Sequence, residues 1–102
     1  MNKEDKTTYE DKRLLIGKTM RVRNCDPHET HSKAGYYIIV DLKEEDKKTG
    51  QISYYEMYSL QRRIIYRWDA NMTFVKIIIE KLKRGDKENL CCLCYGVEYT
   101  LI

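Results

Sequence analysis

Two stretches rich in aromatic and β-branched residues flank an all-polar connection. The first is Tyr36-Tyr37-Ile38-Ile39-Val40-Asp41-Leu42, the second runs from Gln51 to Leu60, and Lys43 to Gly50 lies between them. Residues of this kind fit a pleated, half-buried surface. Gly50 closes the connection where a bulged hairpin turn needs a left-handed residue. The pattern predicts a β-hairpin, and any fold of this chain must accommodate it. Alternation places Tyr36, Ile38, Val40 and Leu42 on the core face of the first arm. On the returning arm Ile52, Tyr54, Tyr58 and Leu60 point inward, with Glu56 at a rim.

The rest of the chain reads as further short strands. Residues 1–12 are mixed charge with one aromatic and read as a flexible polar tail, leaving 13–102 as a single β-rich domain. Between Leu14 and Arg23, Met20 and Val22 share one strand face and Arg21 and Arg23 the other. Asn24 to Ala34 reads as a loop opened by Asp26-Pro27. Arg62 to Trp68 makes another strand, with Ile64, Tyr66 and Trp68 on one side. Asp69-Ala70-Asn71 is a turn.

Thr73 to Arg84 admits two readings. As a helix it puts Val75, Ile78, Ile79 and Leu82 on one side, capped by Asp69 or Asn71 and stopped by Gly85. As a strand it satisfies the preference of Thr73-Phe74-Val75 and Ile77-Ile78-Ile79 for extended structure, and Ile77 falls on the polar side of the helical wheel. The strand reading is preferred. Leu90 to Leu101 then forms a last strand, with Cys91, Leu93, Tyr95, Val97, Tyr99 and Leu101 on one face. The fold class is mainly β: a small antiparallel meander sheet or partly open barrel. The alternative is α+β, with one helix at about 70–84 packed on the sheet.

Hydrophobic residues make up 42% of the chain and charged residues 34%, apolar enough for a core and polar enough for solubility. No run approaches the length of a membrane span, and the polar start does not resemble a signal peptide. A cytoplasmic protein with its four cysteines as thiols is expected. Cys25, His28, Cys92 and Cys94 could be drawn together around zinc, but the spacing is poor, and no metal is expected. The His28-Glu29-Thr30-His31 run lacks the four-residue histidine spacing of a metalloprotease helix. Arg84-Gly85-Asp86 reads as a chance match to an adhesion tripeptide. No nucleophile elbow and no phosphate-binding glycine loop is present, so neither enzyme activity nor a cofactor is expected.

What remains is binding. Arg21, Arg23, Arg62, Arg63 and Arg67 offer charge, and Tyr37 or Tyr55 offers stacking surface. Two partner classes follow. One is a protein, with the chain acting as an inhibitor or adaptor that occludes its partner; anti-defence inhibitors of phages and mobile elements share this size and lack of motifs. The other is a nucleic acid or nucleoprotein held on a basic, aromatic sheet face. A net charge of +3 is modest for the second role, so the protein partner is ranked first. Leu90 to Leu101 could also pair as an edge strand with a second copy, giving a homodimer.

Overall fold

The computed structural model describes residues 7–25, 34–47, 50–88 and 90–102. The elements in chain order are α1 (Tyr9–Lys12), a 3-10 turn (Arg13–Leu15), β1 (Thr19–Asn24), β2 (Gly35–Lys47), β3 (Gly50–Ser59), β4 (Ile65–Asp69), α2 (Thr73–Lys83), β5 (Cys91–Cys94) and β6 (Val97–Leu101). The six strands form one open antiparallel sheet in the order β4-β3-β2-β1-β6-β5. The first four strands are a meander. Helix α2 then links β4 at one edge to β5 at the other, and the β5–β6 hairpin completes the sheet. Among the described residues no helix is long and apolar enough to cross a membrane.

The mainly β reading holds, but Thr73–Lys83 is a helix and not a strand. Phe74, Val75, Ile78 and Ile79 are buried and Ile77 is half-buried at the flank. The apolar face that carries Tyr37, Tyr55, Met57 and Trp68 needs a cover, and this segment carries a 3.6-residue apolar period. That tertiary demand outweighs the β-branched preference of the isoleucines. The helix stops at a Schellman motif: Gly85, at φ +89°, donates to the Leu82 carbonyl, and Asp86 donates to that of Lys81. Its start differs from expectation too. The cap position is Met72, which offers no side-chain hydrogen bond. Asp69 instead accepts the backbone N–H of Asn71.

The hairpin forms, and its pairing continues from Tyr37↔Ser59 to Lys47↔Gly50, well into the stretch read as connection. Residues 48 and 49 lie outside the described residues. The inward parity is the opposite of that expected over most of both arms. Tyr37 and Ile39 are core, and so are Ser53, Tyr55, Met57 and Ser59, while Tyr36 and Val40 are exposed. Both faces of the hairpin are apolar, so alternation alone could not choose. The observed parity keeps Glu56 off the helix side, where an unpaired carboxylate would be costly. A β-bulge between Ile39 and Asp41 then restores Leu42 to the core.

Leu90 to Leu101 is a hairpin and not one strand. Tyr95 (φ 53°) and Gly96 (φ 76°) are both left-handed, as a two-residue type I′ turn requires. The turn brings Cys92 opposite Tyr99 on the core side and leaves Leu93 exposed. β6 is therefore an interior strand, and the edge on this side is β5 alone.

Under α2, aromatic rings fill the middle of the core. Tyr37 lies 4.9 Å from Trp68, Phe74 stacks on Tyr99 at 3.8 Å, and Trp68 meets both Phe74 and Tyr99 edge-on. Residues 8–15 dock beside them. Thr8 and Asp11 form a capping box on α1, Leu15 is buried, and the Lys12 ammonium bonds Asn71 Oδ1 at 2.6 Å.

Candidate functional site

Helix α2 covers one face of the sheet. Among the described residues no element lies over the other face. Residues paired across neighbouring strands share a face, so the register maps the uncovered surface row by row. One row runs Ile65, Tyr58, Ile38, Thr19, and a second runs Arg67, Glu56, Asp41. A third runs Cys91, Thr100, Arg21, Tyr36, and a fourth Leu93, Glu98, Arg23. Tyr36 is 40% exposed and Ile65 54%. Beside Ile65, the β3–β4 turn adds exposed Leu60 and Ile64. The β2–β4 half of the face thus sets an aromatic and aliphatic row beside a charged one.

Those charges are largely matched. Arg23 Nε lies 3.0 Å from Glu98 Oε1, and Lys43 Nζ 3.9 Å from Asp41. The Arg67 guanidinium is 4.0 Å from Glu45 and stands 4.7 Å above the Tyr54 ring. Arg21 differs. Its Nε is buried with no hydrogen-bond partner among the described residues, and so is Oγ1 of Thr100 directly across the ladder.

Arg21, Arg23 and Arg67 therefore sit on the uncovered face as expected. Arg62 and Arg63 lie in the β3–β4 turn instead. The Arg62 side chain hydrogen-bonds Tyr37, and Arg63 adopts φ 61°. Tyr37 and Tyr55 do not offer stacking surface, because both are core residues at 0% and 2% exposure. Their neighbours Tyr36, Tyr54 and Tyr58 occupy the uncovered side. The candidate residues not singled out from sequence are Tyr36, Tyr58 and Ile65: the first two depend on the parity of the hairpin, and Ile65 shares the side of Arg67 by the alternation of β4 itself.

The cysteines divide between surface and core. Cys25 is exposed, Cys92 is buried, and the Cys92 and Cys94 sulfurs are 3.3 Å apart on the helix side. Burial, with the Cys94 thiol beside it, pushes the Cys92 thiol up to about 12. His28 lies outside the described residues. Among the described residues no three His, Cys, Asp or Glu side chains converge as metal ligands would. Arg84 and Asp86 of the adhesion-like tripeptide pair with each other at 3.3 Å. No protein-family model, curated protein or solved structure matches this chain.

Proposed function

We propose that this protein is a small binding module that docks another protein on the uncovered face of its sheet, acting as an inhibitor or adaptor by occlusion. One observation carries the reading: Tyr36, Ile38, Tyr58 and Ile65 lie side by side on that face, with acidic and basic groups balanced around them. Apolar centres rimmed by paired charges suit protein interfaces, where tyrosine and arginine anchor affinity. Arg21 and Thr100 add polar atoms that a partner could satisfy. A nucleic acid would instead need arginines free to neutralise phosphate. Arg23 and Arg67 already face carboxylates, which favours the protein partner.

The test is affinity capture with the wild-type chain and with Ile65→Asp and Tyr58→Asp. Lys76→Ala, on the outer surface of α2, serves as control. A partner recovered by wild type and control should fall at least tenfold with either face variant, the loss of one interface anchor of about 1.4 kcal/mol or more. Recovery unaffected by both variants would contradict the proposal, as would a retained nucleic acid released by salt.

A further inference from the structure

A cavity of about 220 Å³ opens at the N-terminus of α2, on the helix side of the sheet and away from the docking face. Asn71, Met72, Thr73 and Phe74 line one wall; Cys94, Tyr95 and Tyr99 line the other. The helix wall is rich in donors. The first amides of a helix have no carbonyl to bond within it. Val75 N–H turns back to the Met72 carbonyl, but Met72 has no side chain able to cap the amides of Thr73 and Phe74. The opposite wall presents a second feature of the same kind. Tyr99 is only 7% exposed and lines the cavity, yet its hydroxyl makes no hydrogen bond with a described residue. Beside it stands Cys94, whose sulfur is in contact with the buried Cys92 thiol.

Charges of both signs stand behind the walls, since the Asp69 carboxylate accepts the Asn71 N–H at 2.8 Å. The Lys12 ammonium sits 2.6 Å from Asn71 Oδ1, so a cation backs a side chain of the cavity wall. The helix dipole adds positive potential at the same end. We propose that this cavity binds a small oxyanion, a phosphate or carboxylate group, between the amides of Thr73 and Phe74 and the hydroxyl of Tyr99. Helix N-termini favour such groups because their N–H vectors and dipole point at one spot. The Tyr99 phenol donates from the other side.

Amide-resolved NMR titration of the full chain tests this, with inorganic phosphate and acetate in separate arms. Chloride at matched ionic strength is the control. The Thr73 and Phe74 signals should move and saturate with phosphate, acetate or both, and the arm that saturates identifies the group. Tyr99→Phe removes one donor to a charged ligand and should weaken binding about tenfold. Thr73→Pro removes the first amide at a position where helices tolerate proline, so α2 is retained, as circular dichroism can verify, while binding is lost. Shifts that never saturate, that spread over the lysine-bearing surface, or that survive both variants would overturn the proposal.

Discussion

The hydroxyl of Tyr55 donates to the Lys12 carbonyl at 2.7 Å, deep enough that the residue is 2% exposed. That bond ties the end of α1 to the third strand. Tyr55→Phe removes this buried hydrogen bond and should cost about 1 kcal/mol, seen as a lower urea midpoint at unchanged slope. Burial also raises the phenols of Tyr55, Tyr37 and Tyr99 and the thiol of Cys92 above their ordinary values of 10.0 and 9.0. For such groups the unfolded chain loses its protons first. Their contribution is complete below the ordinary value and is lost as pH climbs towards the raised one. Lys12 acts in the opposite sense just below 10.5, because desolvation lowers it in the folded state. Four raised groups outweigh one lowered one, so stability should fall from about pH 9 upward. Denaturation curves between pH 7 and 11 check the slope, which Tyr55→Phe should make shallower above about pH 10.

At the scale of elements, α2 is finished at one end and bare at the other. Lys81 and Lys83 lie in its last turn, and Gly85 closes a Schellman motif. Met72, with φ −68° and ψ 152°, holds the cap conformation without a capping group. Met72→Asp should supply one, stabilising the fold by about 1 kcal/mol and raising Tm by roughly 4–8 °C. The new carboxylate would also compete for the Thr73 and Phe74 amides and so weaken oxyanion binding.

The same elements show what sequence patterning reveals. Strand β1 was legible because Met20 and Val22 alternate with Arg21 and Arg23. The hairpin was legible from composition, but not its parity, since Tyr36-Tyr37 and Ile38-Ile39 are apolar on both sides. The helix was obscured by Ile77, whose half-buried flank position has no counterpart in a two-sided wheel. Tyr95-Gly96 was overlooked as a turn because tyrosine is a poor resident of left-handed backbone. For the candidate site, alternation puts the three strand arginines on the uncovered face, whereas Tyr37 and Tyr55 fall one residue out of step with it. That is the consequence of a parity that only the covering helix decides.

For the molecule as a whole, the central feature is a six-stranded sheet with a helix on one face only. An open sheet can leave its second face to solvent if that face is polar. Here the β2–β4 half is not, since Tyr36, Val40, Ile64 and Ile65 are all exposed there or beside it. Exposed apolar side chains on this face are what the docking proposal rests on. β4 and β5 are the sheet edges, and β5 is only four residues long, which limits its use as a pairing template.

Hydroxyl-radical footprinting of the protein alone and with its captured partner tests the docking face most directly. The account predicts that Tyr36, Tyr58 and Ile65 lose labelling in the complex. Tyr95, 92% exposed at the β5–β6 turn, should keep it. Protection of Tyr95 and the outer surface of α2, with Tyr36, Tyr58 and Ile65 labelled as in the free protein, would contradict it.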